Sequence, residues 1–365
     1  MKRVLCIVGG MNAGGAETFL MKVYRALDKT KYQMDFAVAI SDKGYYDDEI
    51  DSLGGKIYHI PPKTKNPIKS FNAIRKLVKE NKYEYVLRTS QHSLSALELL
   101  AARFGGAKTR VFRSSNSNTV SKSKKQMLLH KLCAFMPRRF ANVRIAPSTE
   151  AADFMYGKNS VTKGRAQILK NAVDLNEYCF VMENREKIRK DFNIEKKKII
   201  GHIGRFTAQK NHVFLIDIFH EIHKKDAETR LLLIGKGEHE KDVRSKVKDL
   251  DLEDSVIFAG VRADVPALLS AMDVFVMPSL YEGMPNTVIE AQATGLPCII
   301  ADTITREANI TGLVKYLPLE NPELWATAAL DAVSEERADT KAAFIENKYD
   351  VESTARDFVK LVFGE

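Results

Sequence analysis

Short apolar runs alternate with amphipathic stretches along the whole chain, and this pattern constrains the fold more than any other feature. In the first half, an apolar run at residues 4–8 precedes a stretch at 16–27 whose apolar residues recur at helical spacing. Further runs follow at 34–40, 56–60, 85–87, 110–112, 143–146 and 166–169. Because such runs are apolar at every position, they predict parallel strands covered on both faces by helices.

The alternation is interrupted once and then restarts. A polar, charge-dense stretch at 183–198 separates the first set of runs from a second set at 199–203, 231–234, 256–258, 274–277 and 298–301. A chain of 365 residues also exceeds the size at which one core usually keeps growing. We therefore predict two facing Rossmann-like, doubly wound α/β domains at 1–173 and 174–345, with a helix at 346–365 packing back toward the first. Ligands of open parallel sheets bind beyond the carboxyl ends of the strands, so a central cleft is the expected site.

The composition is that of a soluble, cytoplasmic protein. Nowhere do about eighteen apolar residues run together, and the first apolar run is too short for a signal peptide. Cys6, Cys133, Cys179 and Cys298 lie far apart and form no metal-type pairs. They are expected to be reduced thiols rather than disulfides or zinc ligands.

The positive charge is concentrated in one region of the first half. Residues 99–149 hold eleven Lys and Arg and no Asp or Glu, whereas the net charge of the whole chain is +9. This window predicts an anionic partner such as a phosphate, a nucleic acid or a membrane surface. Within it, residues 124–135 read as one helix with apolar Met127, Leu128, Leu132 and Phe135. That helix either docks on an anionic membrane or is buried on its own domain with its cations in solvent.

Two glutamates lie around a predicted helix start in the second half. The strand at 274–277 leads through Glu282 and Pro285 into an apolar helical stretch at 287–294 that contains Glu290. Pro285 suits the first turn of a helix, whose amide hydrogens favour an anion. The glutamates are too far apart for an acid/base pair, but each can reach a different hydroxyl-bearing part of a nucleotide sugar. Glutamates at this spacing are usually solvated, yet one inside an apolar helix needs a partner.

Two cations follow another strand of the same half. Arg205 and Lys210 lie on the loop after the run at 199–203, where they could clamp a diphosphate leaving group. Two surface cations in a loop would be the ordinary interpretation. Because this strand and the strand at 274–277 end at the same edge of one predicted sheet, the clamp is favoured.

These motifs resemble the family 4 retaining glycosyltransferases of the GT-B fold. The resemblance covers essentially the whole chain through the segments at 14–17, 171–174, 204–211, 232–237 and 282–291. The segments at 261–265 and 296–303 look most like bacterial exopolysaccharide and capsule enzymes. The resemblance implies transfer of a hexose or N-acetylhexosamine from a nucleotide diphosphate sugar, with UDP as the expected nucleotide. The implied acceptor is a saccharide, expected to be lipid-linked, in surface polysaccharide synthesis.

The resemblance also implies residue roles. The expected catalytic residues are Arg205, Lys210, Glu282 and His92. The expected nucleotide-sugar-binding residues are Gly14, Gly15, Gly235, Gly237, Arg262, Gly283, Met284, Pro285, Asn286, Thr287 and Glu290. In this scheme the two cations bind the diphosphate, Glu282 contacts the transferred sugar and Glu290 the ribose. Gly14 and Gly15 would allow close approach of backbone to phosphate or acceptor.

Retention of configuration, as the family implies, needs attack on the face that the leaving group vacates. Since no nucleophile is fixed by the sequence, the departing phosphate is expected to take the acceptor proton in an internal-return displacement. No metal and no other cofactor are expected, because Asp249 and Asp251 form the sole Asp-x-Asp and read as solvated surface. Residues 113–116 depart from the histidine-containing version of relatives, so none of them is given a role.

Three alternatives remain at this point. A nicotinamide-dependent oxidoreductase is suggested by the glycines after the first strand, although their spacing is not G-x-G-x-x-G. A nucleotide-sugar epimerase would share the fold. A nucleic-acid-binding protein could use the basic window, but aromatic residues suited to base stacking are lacking there. The expected location is the cytoplasm, at the inner face of the cell membrane if the basic window docks there.

Overall fold

The computed structural model describes residues 1–12, 14–115 and 124–365, with the backbone alone for residues 124–127. The strands in this part of the chain are β1 Lys2–Val8, β2 Tyr32–Val38, β3 Ile57–His59, β4 Tyr85–Ser90, β5 Thr109–Ser114, β6 Val143–Ala146, β7 Gln167–Ile168, β8 Lys198–Ile203, β9 Thr229–Ile234, β10 Val256–Gly260, β11 Val274–Met277, β12 Cys298–Ala301 and β13 Val314–Leu317. The α-helices are α1 Gly15–Ala26, α2 Asp47–Ser52, α3 Pro67–Glu80, α4 Leu97–Gly105, α5 Lys124–Leu132, α6 Phe135–Phe140, α7 Thr149–Tyr156, α8 Met182–Asp191, α9 His212–Lys225, α10 Glu240–Asp249, α11 Val265–Ala271, α12 Asn286–Ala293, α13 Pro322–Val333, α14 Lys341–Glu346 and α15 Val351–Phe363. Short 3₁₀ helices lie at Ser93–Ala96, Ala208–Lys210 and Arg306–Ala308.

The chain divides into two compact units. Unit 1 comprises Met1–Ala172 and Lys348–Glu365, and unit 2 comprises Val173–Asn347. Each unit holds one parallel sheet, ordered β3-β2-β1-β4-β5-β6-β7 in unit 1 and β10-β9-β8-β11-β12-β13 in unit 2. The two α/β units with parallel sheets agree with the predicted fold class.

The first strand shows why an all-apolar run folds in this way. Along β1, Val4, Cys6 and Val8 pack into one hydrophobic cluster. Leu5 and Ile7 pack into another on the opposite face. Because side chains alternate along a strand, a run that is apolar at every position is satisfied only between two helical layers.

The C-terminal helix α15 completes the core of unit 1. Its Phe358 and Val362 are buried in the cluster that also contains Phe19 of α1. Asp350 caps the helix by accepting a 2.8 Å hydrogen bond from the Ser353 amide. At the other end, the rings of Phe363 and Tyr32 lie 4.9 Å apart.

Three arginines stabilise the end of α11 in unit 2. Arg185 and Arg337 donate to the carbonyl of Met272 at 3.1 and 2.5 Å. Arg189 donates to the carbonyl of Ala271 at 3.0 Å, and Asp273 pairs with both Arg185 and Arg189. Cations at the negative end of a helix satisfy its last carbonyl groups, so this cluster has a structural purpose.

One predicted helix needs correction, and two further elements depart from a regular pattern. The helix expected over 124–135 is two helices, because α5 ends at Leu132 and α6 begins at Phe135. The helix after β4 begins as 3₁₀ at Ser93–Ala96. Strand β13 lacks the fully apolar pattern because it lies at the sheet edge and its Lys315 is exposed. The cysteines are free thiols, as expected.

The order of strands reverses at one point in each sheet. The reversal lies between β1 and β4 in unit 1 and between β8 and β11 in unit 2. At such a switch point the connections leave in opposite directions and open a crevice beyond the carboxyl ends of the strands. The loops after β1, β4, β8 and β11 are therefore the places to look for a ligand site.

Candidate functional site

The loops after β8 and β11 are joined directly to each other in unit 2. The amide of Leu280 donates to the carbonyl of Gln209 at 2.8 Å. The side-chain amide of Gln209 in turn donates to the carbonyl of Tyr281 at 2.9 Å. These bonds place the segment with the predicted cations against the segment with Glu282.

Lys210 and Glu282 form an ion pair across these loops. Lys210 Nζ lies 2.8 Å from Glu282 Oε1, and the two side chains are only 16% and 10% exposed. The sequence assigned Lys210 to the diphosphate and Glu282 to the sugar as separate contacts. The structure pairs the two side chains with each other, and their contacts to a ligand stay predictions. Arg205 lies on the same loop with its side chain exposed.

Helix α12 begins four residues after Glu282, so the positive end of its dipole lies near this ion pair. Helix α12 begins at Asn286, so Pro285 occupies the N-cap position rather than the predicted first turn. Pro285 supplies no side-chain hydrogen bond to the first turn. Amide donors of a helix start and the helix dipole favour an anion at this point.

The segment from the end of β11 into α12 contains two buried hydroxyl groups. The hydroxyl groups of Ser279 and Thr287 are buried, and each lacks a hydrogen-bond partner in the described part of the chain. Glu290 lies one turn into α12 and is partly buried, as are Gly283 and Met284. Buried hydroxyls without partners are uncommon in native proteins and indicate a place where a ligand or water can bond.

The glycines after β9 are required by packing within unit 2. Gly235 has a φ of +139°, and a Cβ there would lie 2.1 Å from the carbonyl oxygen of Gly204. A Cβ on Gly237 would lie 2.3 Å from the carbonyl oxygen of Phe206. These glycines let the loop after β9 lie directly on the loop that carries Arg205. Arg262, the third residue predicted near the base, makes two hydrogen bonds to Asp264 at 2.8 and 2.6 Å.

Two buried histidines lie beneath the same loops. His202 on β8 is fully buried, and His212 at the start of α9 is 3% exposed. Their rings meet edge to face at 4.7 Å, and His212 stacks on Phe206 at 4.1 Å. Burial lowers the pKa of His202 well below its usual value and that of His212 to about 4, with Lys210 adding to both shifts.

In unit 1, the predicted glycines form the start of α1. Gly14 is the N-cap residue and Gly15 begins the helix after β1. A Cβ on Gly14 would lie 2.5 Å from Oε2 of Glu17, whose side chain folds back over it. Burial raises the pKa of the Glu17 carboxyl group, while nearby Arg88 lowers it.

His92 lies in a loop held by serine hydroxyl groups. The His92 amide donates to Ser90 Oγ at 3.1 Å, and Ser90 Oγ bonds Ser95 Oγ at 2.9 Å. Ser95 Oγ also accepts from Lys63 Nζ at 2.7 Å. His92 thus lies in the loop after β4 at the switch point of unit 1, and its role stays a prediction.

Arg113, which the sequence left without a role, is almost completely buried at the end of β5. Its guanidinium group packs on the ring of Phe19 at 3.7 Å and donates to Asn171 Oδ1 at 2.6 Å. Burial lowers its pKa to about 9. Arg113 therefore connects β5 to the segment that precedes unit 2 in the chain. Asn116, the last residue of the segment at 113–116, lies outside the described residues.

The described residues offer neither a metal-binding cluster nor a helix able to span a membrane. They contain no cluster of three or more His, Cys, Asp or Glu that could hold a metal ion. Asp249 ends α10 and Asp251 follows it, both exposed. In the same residues, no helix combines the length and apolar character that crossing a bilayer requires.

Sequence reasoning missed His202, His212 and Ser279, whereas Thr287 was among the residues predicted to bind the nucleotide sugar. One signal was present, since His202 interrupts an otherwise apolar strand. The burial of the two hydroxyl groups depends on how the loop after β11 folds, which no local pattern specifies.

Two family models match the chain. The model described as Glycosyltransferase Family 4 matches residues 13–177, and the model described as Glycosyl transferases group 1 matches residues 197–335. The putative glycosyltransferase EpsF of Bacillus subtilis is 34% identical over 334 residues, covering 89% of this chain and 86% of EpsF. An Escherichia coli enzyme, UDP-Gal:alpha-D-GlcNAc-diphosphoundecaprenol alpha-1,3-galactosyltransferase, is 25% identical, with 74% and 72% of the two chains covered.

A solved structure shows the same fold. The crystal structure of HepE of Anabaena in complex with UDP-glucose has a TM-score of 0.79 at 17% identity, and covers 98% of each chain. The two parallel-sheet units are thus those of the GT-B fold. With an EpsF match of this extent, the chain belongs to the glycosyltransferase family whose two domains are described as Family 4 and group 1.

Proposed function

We propose that this glycosyltransferase moves a hexose or N-acetylhexosamine from a UDP-sugar to a lipid-linked saccharide, with retention of anomeric configuration and without a metal ion. The acceptor would belong to a surface polysaccharide. The observation that carries the proposal is the Lys210–Glu282 pair beside the start of α12 at the switch point of unit 2.

The chemistry follows from the charges at this point. Transfer of the sugar leaves negative charge on the departing diphosphate. Arg205, Lys210 and the amide groups at the start of α12 supply positive charge where it develops. The departing phosphate then accepts the proton of the acceptor hydroxyl group, so no protein nucleophile is required. Since these groups balance the charge, a divalent ion is not needed.

Two relatives support the choice of substrates. HepE is named in complex with UDP-glucose, and the E. coli enzyme is named for UDP-galactose and a diphosphoundecaprenol-linked acceptor. In our proposal Glu282 contacts the sugar, Glu290 the ribose, and the loops with Gly235, Gly237 and Arg262 the base. The roles predicted for His92 and for Gly14 and Gly15 at the start of α1 are kept in this proposal.

A lipid-linked acceptor requires access to a membrane, and unit 1 has a surface suited to it. We define the α5–α6 face by the exposed side chains Leu128, Leu129, Leu132 and Phe135, which are 59, 46, 65 and 51% exposed. The cationic residues Lys131, Arg138 and Arg139 are exposed on the same two helices. Of the two interpretations left open by the sequence, docking on an anionic membrane at the inner face of the cell membrane is the one that we propose.

A donor screen tests the reaction. Purified enzyme is incubated with UDP-sugars and a lipid-linked saccharide, with and without EDTA, and products are analysed by NMR. We expect acceptor-dependent transfer that persists in EDTA and yields the donor's anomeric configuration. Acceptor-independent conversion of one UDP-sugar into another would indicate an epimerase. Loss of transfer with EDTA, or an inverted product, would refute the corresponding part of the proposal.

Vesicle cosedimentation tests the membrane part. We expect binding to vesicles with anionic lipid, weakened by salt, and little binding to neutral vesicles. Leu132→Ser combined with Phe135→Ser should abolish it. Ile68→Ser is the matched control, because Ile68 is an exposed apolar residue of unit 1 on α3. Equal binding by all variants would refute docking through the α5–α6 face.

A further inference from the structure

The imidazole of His202 has a bonding pattern that packing alone does not explain. Its Nδ1 lies 2.8 Å from the carbonyl oxygen of Val276, and because a carbonyl can only accept, Nδ1 carries the hydrogen. Nε2 is therefore an acceptor. It is buried and has no hydrogen-bond partner within the described residues. An unpaired buried acceptor carries a free-energy penalty, so its retention here needs a reason.

The unpaired nitrogen and the alkyl chain of Lys210 both border the space beside Gly204. A Cβ on Gly204 would lie 2.9 Å from Nε2 of His202. The same point is 3.1 and 3.2 Å from Cδ and Cε of Lys210. The imidazole edge and the lysine chain thus share the space that a side chain at position 204 would occupy.

His202 is kept neutral in this place. Burial lowers its pKa, and the neighbouring His212 and Lys210 lower it further. A neutral imidazole with hydrogen on Nδ1 keeps the lone pair of Nε2 available. Nε2 of His202 is therefore an acceptor throughout the neutral pH range.

We propose that His202 is a positioning residue for Lys210: once the donor diphosphate is bound, the Lys210 ammonium group donates one hydrogen to His202 Nε2, one to Glu282 and one to the diphosphate. An ammonium group has three N–H donors and no acceptor, so three acceptors around it fix its direction. Holding the charge in place before the diphosphate leaves avoids reorganisation during the reaction. This inference rests on the proposed function, because the diphosphate is the third acceptor.

Two substitutions separate the two ring nitrogens. In His202→Asn the side-chain amide can replace Nδ1 as the donor to Val276, but nothing replaces Nε2. In His202→Gln the longer side chain can place its carbonyl oxygen near the Nε2 position. We expect His202→Asn to lower kcat by about tenfold or more, as for loss of a hydrogen bond to a charged group. His202→Gln should lie closer to the parent enzyme.

The decisive comparison is made in a Lys210→Met background. If His202 acts through Lys210, His202→Asn should cause no further loss of kcat there, whereas a purely structural role would cause the same loss in both backgrounds. Parent-like activity of His202→Asn, or multiplication of the two losses, would refute the inference. Parent-like activity of Lys210→Met would instead refute the proposed clamp itself.

A measurement on the unsubstituted ring covers the case in which His202→Asn does not fold. The imidazole ¹⁵N resonances of the full-length enzyme are recorded with and without UDP. We expect UDP to shift the Nε2 resonance of His202 in the parent enzyme and not in Lys210→Met. An unchanged Nε2 resonance in the parent enzyme saturated with UDP would refute the positioning role.

Discussion

The Lys210–Glu282 pair should contribute measurably to the stability of unit 2. At an N–O distance of 2.8 Å, Coulomb's law with an effective dielectric constant near 20 gives about 6 kcal/mol of attraction. The cost of removing each ion from water cancels in a double-mutant cycle, and relaxation of the surroundings lowers the attraction that such a cycle measures. We therefore expect a net coupling free energy of about 1–3 kcal/mol between the two side chains.

A double-mutant cycle measures that coupling. The free energy of unfolding is determined by urea titration for the parent, Lys210→Met, Glu282→Gln and the double variant. Trp325 is the sole tryptophan of the chain and is fully buried on α13, so its fluorescence reports on unit 2. Each single variant leaves one charged partner unpaired. Its loss in the free energy of unfolding should therefore exceed half of the loss in the double variant.

An exposed pair in the same unit is the control. Lys224 and Glu221 have the same 2.8 Å separation, but their side chains are 55% and 31% exposed. For such a pair we expect a coupling of about 0.5 kcal/mol or less. If the stability losses of Lys210→Met and Glu282→Gln sum to the loss of the double variant within about 0.5 kcal/mol, the two residues are not coupled and our reasoning is wrong.

Three further predictions concern the same unit. Glu290→Ala should weaken UDP binding about tenfold or more by calorimetry, while Glu282→Ala changes it little; the reverse order would overturn the assignment of ribose and sugar. Gly235→Ala should lower the melting temperature, because its Cβ would meet the Gly204 carbonyl at a φ of +139°; Gly9→Ala, with no atom within 4 Å, should not. The free energy of unfolding should fall as the pH drops from 6.5 toward 4. The reason is that the pKa of His212 is about 4 in the folded protein, so the imidazole binds a proton more readily in the unfolded state. The expected loss by pH 5 is about 2 kcal/mol. His212→Phe should reduce that pH dependence in urea titrations, and an unchanged slope would contradict it.

The sequence by itself determined the class of fold and indicated the region of the candidate site. Runs apolar at every position, such as β1, require cover on both faces, and a parallel sheet between helices satisfies this condition. Because ligands bind at the carboxyl ends of such strands, the loops with Lys210 and Glu282 could be identified from the pattern of strands alone. Strand β13 escaped this reasoning, since an edge strand with exposed Lys315 needs no continuous apolar run.

Only the tertiary structure decided how the site residues act on one another. Lys210 and Glu282 are seventy-two residues apart, and their pairing depends on hydrogen bonds between two loops that no local pattern specifies. The same holds for His202, whose unpaired nitrogen is visible only when its neighbours from β11 and the loop after β8 are in place. In unit 1, exposure of Leu132 and Phe135 depends on a break between α5 and α6 that their apolar character did not reveal. Local patterns fix which residues can be buried, whereas contacts between distant segments fix which of them are paired, neutral or exposed.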